Sequence, residues 1–402
     1  MTSRPPRQIS AVRAWGTVVT AMLSSAVVVL GILWGYAPFG ALRPSATVIS
    51  LADQAPCQNI GMAGNAAWDS FSPEEYGLAT EATREIGMGR VRIGANWGEI
   101  ERIRGHHDWT EIDMRIGRAR DAGLRPLLVI QTIPEWLSIP SGPITDEHRR
   151  FAAEFGEFAG AVADRFGHEV DDYEIWNEPN LHKFWPNPNV EHYVELLKAA
   201  YGEIHAADRD ATVITGGLAP APDGPQTIAP LTFLNRLYDL GGSDYSDAIG
   251  MHPYSYPELP SGNSEWNTFR SLTDVVDLMV SRGDGRKQVW LTEYGAPTGG
   301  SSGVSPQRQA EMVTEAYELA TANRSIGPIF IYTLIDGGAP TWDSEAHFGL
   351  YYTNQSPKPA VAALQDAIRT CAPAPGAGSV GDDRPAPEPT APRNSGGAVF
   401  GS

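Results

Sequence analysis

Between Cys57 and Cys371 the chain alternates short apolar runs with longer stretches whose apolar residues recur every third or fourth position. The short runs predict strands at Asn59–Met62, Arg90–Ala95, Leu127–Thr132, Tyr173–Trp176, Thr212–Gly216, Ala248–His252, Gln288–Thr292 and Pro328–Leu334. Several of them are continuous in apolar or β-branched residues, as strands covered on both faces are. The longer stretches predict helices. Phe151, Phe155, Phe158, Val162 and Phe166 form one stripe, and Tyr193, Leu196, Leu197, Ala200 and Ile204 another. Stripes at this spacing face a core rather than a ligand. Ser72-Pro73-Glu74-Glu75 combines an N-cap, a first-turn proline and a capping-box glutamate. Asp108-Trp109-Thr110-Glu111 offers a similar box and Ser305-Pro306 another cap, and a last helix is expected from Ser356 to Arg369.

Strict alternation of eight such strands with helices predicts a (β/α)₈ TIM barrel in a single α/β domain, 57–371. A doubly wound open sheet is the competing architecture. It would place a glycine-rich loop after its first strand, and the sequence has none there.

The flanks have a different character. Arg4, Arg7 and Arg13 mark a basic cytoplasmic segment, 1–13, ahead of an uncharged run, 14–42, with its apolar centre at Val18–Trp34. That run is long enough to cross a bilayer, and arginines before it with a domain after it orient the domain outward. A signal anchor and a cleaved signal peptide both fit, and the lack of a nearby small-x-small site favours the anchor. Residues 43–56 read as a linker. Residues 372–402 hold six prolines and almost no large apolar side chains, so they are expected to be disordered, as a cell-wall linker or a passive tail. The two cysteines, Cys57 and Cys371, are too far apart for a zinc knuckle or a CxxC motif. They are either buried free thiols or a disulfide tying the start of the barrel to its last helix, which suits an extracytoplasmic domain, secreted or membrane-anchored.

Composition narrows the partners. Hydrophobic residues at 42% and charged residues at 19% fit a sizeable globular core. A formal charge of −18 argues against nucleic acid or anionic lipid as the main partner and suits a neutral or cationic one. The membrane enters only through the N-terminal segment, and a monomer is expected.

Functional groups in such barrels gather at the C-terminal ends of the strands. The fourth strand ends Ile175-Trp176-Asn177-Glu178-Pro179-Asn180, and the seventh ends Trp290-Leu291-Thr292-Glu293-Tyr294-Gly295. Each places one glutamate directly after a buried run. Either alone could be an ion-pair residue. Two on opposite sides of one barrel mouth supply what glycoside hydrolysis needs, a proton donor and a carboxylate for the oxocarbenium-like carbon.

These motifs resemble the clan A glycoside hydrolases, family 39-like and family 5-like, from about Asp69 to Ala360, with Trp176-Asn177-Glu178-Pro179 at the centre. The resemblance implies retaining hydrolysis of a β-linked poly- or oligosaccharide, with Glu178 as acid/base and Glu293 as nucleophile. It also implies that Asn177 bonds the sugar 2-hydroxyl and that Arg92, after Val91, keeps the nucleophile ionised. His252 and Tyr254, in His252-Pro253-Tyr254, are placed near the pair; a core histidine and a rim aromatic are the plainer readings. Asp108-Trp109, Arg125-Pro126-Leu127-Leu128-Val129, Pro134-Glu135-Trp136, Leu181-His182-Lys183-Phe184-Trp185 and Phe348-Gly349-Leu350 are family 39-like segments. Trp136, Trp185 and Trp342 are candidate stacking platforms for sugar rings, or simply loop packing. One departure stands out: where many clan members end strand eight with Trp, this chain reads Tyr332-Thr333-Leu334. An inactive glycan-binding barrel and a transglycosylase sharing the same intermediate are the alternatives. Gly299-Gly300-Ser301-Ser302-Gly303 matches a GxSxG elbow but lies beyond its strand in a small-residue loop. His106-His107-Asp108 signals no third metal ligand. No Walker loop occurs, and neither a cofactor nor a metal is implied.

Overall fold

The eight apolar runs pair in chain order as parallel strands: β1 (Ile60–Ala63), β2 (Arg90–Asn96), β3 (Arg125–Gln131), β4 (Asp172–Ile175), β5 (Thr212–Thr215), β6 (Ala248–Met251), β7 (Gln288–Tyr294) and β8 (Ile326–Tyr332). Pairing of β1 with both β2 and β8 closes the barrel. A helix follows each strand: α1 (Pro73–Ile86), α2 (Thr110–Asp121), α3 (Asp146–Phe166), α4 (Val190–Ala207), α5 (Pro230–Asp239), α6 (Leu272–Ser281), α7 (Pro306–Ala322) and α8 (Pro359–Thr370). This computed structural model describes residue 57 and residues 59–337 and 342–371. The expected membrane segment 14–42, linker 43–56 and tail 372–402 lie outside the described residues. Among the described residues no helix is long and apolar enough to cross a membrane.

The local signals act as their chemistry requires, with two exceptions. Ser72 accepts from the Glu75 N–H while Glu75 reaches back to the Ser72 N–H, completing the capping box of α1. Ser305 accepts from the Arg308 N–H at the start of α7. The box expected at 108–111 does not form. Asp108 accepts from the Thr110 N–H instead, so the carboxylate closes a tight turn and α2 starts without a side-chain cap. The last helix starts at Pro359, after extended Lys358, and not at Ser356.

Strand residues alternate between two environments, as the pleat demands. Ile60, Met62, Val91, Ile93, Leu128, Ile130, Tyr173, Ile175, Ile249, Leu291 and Ile331 are buried beneath the helices in one continuous core. The α3 and α4 stripes belong to that core. These two helices pack closely because Gly156 has no side chain, and a Cβ there would sit 3.0 Å from Ala199. Inside the barrel, Ala63, Leu127, Ile214, Ala248, Trp290 and Phe330 form a separate small cluster. Two further interior positions on each of β2 and β4 carry charge: Arg90 pairs with Asp172, and Arg92 with Glu174, each at 2.6 Å. Cys57 and Cys371 are joined in a disulfide, their Cα atoms 5.7 Å apart, which ties the chain before β1 to the end of α8 and sets aside the free-thiol alternative.

Candidate active site

The barrel mouth is built around one guanidinium. Arg92 is 5% exposed and bonds in three directions: Nε to Glu174 Oε2 at 2.6 Å, Nη1 to Glu293 Oε1 at 2.7 Å and Nη2 to Asn177 Oδ1 at 2.8 Å. The planar fork of arginine suits this task, whereas a lysine would present a single point charge. β2 aims the fork inward, β7 delivers Glu293, and the turn after β4 delivers Asn177 and Glu178.

That turn is strained. Trp176 and Glu178 have φ of 70° and 47°, in the left-handed region that costs a non-glycine residue about 1–3 kcal/mol. Backbone bonds from Trp176 N–H to Ile130 O (2.9 Å) and Glu178 N–H to Gly217 O (3.2 Å) hold it. The Trp176 indole N–H also bonds Phe184 O at 3.2 Å.

Glu293 is 9% exposed, and its Oε2 accepts the Tyr254 hydroxyl at 2.8 Å and lies 3.6 Å from His252 Nδ1. Burial by itself would raise this carboxyl's pKa. The charges of His252 and Arg92, with hydrogen bonds from Tyr254 and Arg92, outweigh burial and hold it below the usual glutamate value. It is therefore charged when a reaction starts. Tyr254 shows the reverse effect: burial, then the Glu293 charge, keeps its hydroxyl protonated.

Glu178 is 8% exposed, and its Oε1 lies 2.9 Å from His252 Nδ1. The other ring nitrogen, Nε2, is 3.1 Å from Thr292 Oγ1, and that hydroxyl donates to Glu174 Oε1 at 2.9 Å. Since the threonine proton is committed to Glu174, the bonding pattern assigns the Nε2 proton to the histidine, with Thr292 as acceptor. Nδ1 is then the nitrogen that exchanges a proton with Glu178. Burial opposes charge on His252, but Glu293 and Glu178 together push its pKa above the ordinary value. Gly217 makes the arrangement possible. Its N–H donates to Glu174 Oε1 at 2.9 Å, and a Cβ there would run into the His252 ring and the Thr292 hydroxyl.

These groups open into a cavity of about 460 Å³, of the size small-ligand sites take. Lys183 and Phe184 line it from the loop after β4, Tyr256 from the loop after β6, and Glu345 and Phe348 from the loop after β8. Tyr332 lines it at the end of β8, the place where the resemblance raised the question of a missing Trp.

The structure brings Glu178, Glu293, Asn177, Arg92, His252 and Tyr254 together. None of the three tryptophans is among the residues lining this cavity, and Trp185 is a correction because it is buried. Trp185 is 1% exposed and packs between Phe151, Trp176 and Tyr193. Trp136 bonds Glu101 O and takes the edge of Trp97, with the Arg104 guanidinium over its ring. Trp342 stands 74% exposed, outside the cavity wall. Sequence reasoning missed Glu174, Thr292 and Gly217. Glu174 did leave a signal, a charge between Tyr173 and Ile175 in a strand otherwise suited to burial.

Glu178, His252 and Glu293 hold ligand atoms within 4.8 Å of one another, so the same three could in principle grip a cation. The Arg92 guanidinium on Glu293 opposes a second positive charge there.

No family model matches the chain. Solved structures share its fold. A family 39 glycoside hydrolase from Bacteroides cellulosilyticus WH2 superposes with a TM-score of 0.63 at 23% identity, over 79% of this chain and 64% of that one. A monomeric β-xylosidase from Caulobacter crescentus CB15 gives 0.59 at 18% identity, over 78% and 68%. A GH5 protein from Bifidobacterium longum subsp. longum, solved with Manβ1-4GlcNAc, gives 0.58 at 17% identity, over 77% and 76%. At these identities the likeness is one of fold. The chain spans less than two thirds of the length of the Bacteroides protein.

Proposed function

We propose that this chain is a retaining glycoside hydrolase acting on a β-linked glycan. One observation carries the reading: two buried-edge carboxyls, Glu178 and Glu293, present oxygens within 4.8 Å of each other in a cavity, the second held ionised by His252 and Arg92. Carboxyl groups about 5–5.5 Å apart leave room for a sugar carbon between them, whereas inversion needs about 6.5–9.5 Å to admit a water as well. The β-linkage is supported by the similar folds, one a β-xylosidase and one solved with a β1-4 disaccharide.

In the first step Glu293 attacks the anomeric carbon while Glu178 gives its proton to the departing oxygen. The glycosidic bond breaks and a glycosyl ester forms on Glu293. In the second step the Glu178 carboxylate takes a proton from water, whose oxygen attacks the same carbon. The ester breaks, Glu293 is freed and Glu178 is protonated again. His252 stands where it can share that proton between the two half-reactions. Asn177, fixed by Arg92, is placed to bond a hydroxyl beside the reacting carbon. The Cys57–Cys371 disulfide and the arginines ahead of 14–42 support a domain held outside the cytoplasm.

The test is turnover of aryl β-glycosides and β-glycans by the full chain, with the first product read by proton NMR. A β-hemiacetal should form first, Glu293→Ala should be inactive, and Glu178→Gln should lose about 10²–10⁴-fold. An α-hemiacetal as first product would overturn retention. Wild type and both variants behaving alike on every glycan would overturn the enzyme. A rise in longer products with added acceptor sugar would indicate transfer.

A further inference from the structure

Lys358 carries a charge that the chemistry at the mouth does not use. Its side chain is 0% exposed, at the entrance to α8. Taking an ammonium out of water is costly unless each of its three donors finds an acceptor. Here Nζ donates to Thr298 Oγ1 at 2.7 Å, to Asp336 Oδ1 at 2.8 Å and to the His347 carbonyl oxygen at 3.3 Å. The three acceptors belong to the loops after β7 and β8. A buried ion pair is weak evidence for stability, because apolar side chains of similar volume often pack there at no loss. What this pair does supply is direction.

The direction concerns Phe348. Lys358 holds the carbonyl of the residue before it. Asp336 Oδ1, besides taking the ammonium, accepts the N–H of the residue after it, Gly349, at 2.9 Å. From α7 the buried Gln309 adds Nε2 donations to the carbonyls of Phe348 at 3.2 Å and Gly349 at 3.1 Å, and to Ala296 O at 2.9 Å. Consecutive peptide groups on both sides of Phe348 are thus fixed by side chains shut away from water. The ring they carry is 2% exposed and meets Tyr332, Tyr256 and Tyr254 edge to face, with centroids 5.3, 5.6 and 5.8 Å away. Around Tyr254 it lies nearer than Tyr256 at 5.9 Å or His252 and Tyr294 at 6.4 Å. Tyr254 in turn gives its hydroxyl proton to Glu293 Oε2 at 2.8 Å. An O–H···O bond is lost beyond about 3.0 Å, so the tyrosine ring has only a few tenths of an ångström to move.

Resting on the reading of Glu293 as nucleophile, we propose that Lys358 is a positioning residue. With Asp336 and Gln309 it clamps the peptide at Phe348, and the phenyl ring seats the Tyr254 hydroxyl against Glu293. None of the three clamp residues lines the cavity, whereas Phe348 and Tyr254 both do. The clamp therefore acts on the reaction through those two rings and touches no substrate.

The test is a paired substitution in the full chain, Lys358→Met with Asp336→Asn. Lys358→Met alone would strand the Asp336 charge. The pair removes both charges together and leaves an amide oxygen for the Gly349 N–H. Ionisation of Glu293 is followed by carbon NMR of protein labelled at the glutamate carboxyl, its signal identified by loss in Glu293→Gln. The midpoint should move up in the paired variant and in Tyr254→Phe, because each displaces a donor to the charged form. With the pair and Tyr254→Phe combined, it should move no further than in Tyr254→Phe alone. On aryl β-glycosides kcat should fall by about ten- to a hundredfold, the scale of a small misplacement at the reacting centre, with a lesser change in KM. Phe348→Leu leaves the clamp intact and takes away the ring; it should move the midpoint in the same direction, and it decides the matter if the paired variant does not fold. An unmoved midpoint in either folded variant, or a further shift on top of Tyr254→Phe, overturns the positioning role. Absence of turnover by the unaltered chain on every glycoside overturns the glycosidase instead, and the titration, which needs no turnover, still decides the clamp.

Discussion

Two ion pairs lie one pleat apart inside the barrel, made by the same strands from the same chemistry. Arg90 and Arg92 both come from β2, and Asp172 and Glu174 both come from β4. In the lower pair the partners are all structural: Arg90 bonds Asp172 and Asn59, and its guanidinium lies 5.2 Å from the Trp290 ring centre. In the upper pair Glu174 takes only the Nε corner of Arg92, and the other two corners reach Glu293 and Asn177. An arginine whose bonds end on strand residues below the mouth braces the barrel, whereas an arginine whose other two corners reach groups lining the cavity organises chemistry. Residue type does not separate the two; what reaches each guanidinium does.

The sharpest break in the comparison is Arg92→Met against Arg90→Met. Removing Arg92 leaves Glu174 and Glu293 buried without their cation and frees Asn177. Activity per folded molecule should fall by about 10²–10³-fold, the scale of losing a preorganised charge-assisted donor. Stability should fall as well, by about 3–5 kcal/mol, because a buried charge is left unpaired. Arg90→Met should lose stability on that same scale yet keep the activity of whatever fraction is folded. Denaturant unfolding and active-site-titrated kcat on both variants check this. Equal activity losses would mean that the lower pair shapes the mouth and that the distinction between the layers is false.

Thr292→Val is a smaller perturbation of the upper layer. It keeps the shape but deprives Glu174 of a donor and His252 Nε2 of its acceptor. The ring is then free to change tautomer, and proton supply to Glu178 should slow by about tenfold, with a stability cost of about 1–3 kcal/mol for the unmet groups. Thr292→Ser, which restores the hydroxyl, should recover most of the rate. A loss that serine does not rescue would point to packing and not to the hydrogen-bonded relay.

The contrast between layers also explains what could be read from the chain. All eight strands and most of the helices after them were legible, because the outward faces of the strands and the inward stripes of the helices carry the apolar period, while α5 and α6 gave no start signal that was read. Glu178 and Glu293 were legible because each follows a buried run at a strand end. The relay was not. Glu174, Thr292 and Gly217 sit inside strands or at their ends, and their roles depend on bonds between strands distant in sequence. Gly217 is written as one of many glycines until the crowding at His252 is known. Trp185 misled for a related reason: an indole in a loop after a strand can face the mouth or the helices, and this one fills a gap among Phe151, Trp176 and Tyr193.

The finest test of the upper layer is its pH profile. Glu293 is held below its ordinary value of 4.5, and His252 is pushed above its ordinary value of 6.5. For the depressed carboxyl, the stabilising contribution is complete above the unfolded value and is lost as pH falls through the folded one. For the raised imidazole, the contribution is complete below the unfolded value and is lost as pH rises through the folded one. Both contributions therefore coexist between the two ordinary values, and stability and kcat/KM should be highest there. Tyr254→Phe removes the hydroxyl that Glu293 Oε2 accepts at 2.8 Å while leaving the ring in place. With one donor to its charged form gone, Glu293 should protonate at higher pH, so the acid limb of kcat/KM moves up. His252 and Glu293 titrate together, so the limb belongs to that pair, and its direction of movement is the readout. A downward shift or none would show that Arg92 and His252 alone hold the charge, and that the tyrosine serves only the shape of the cavity.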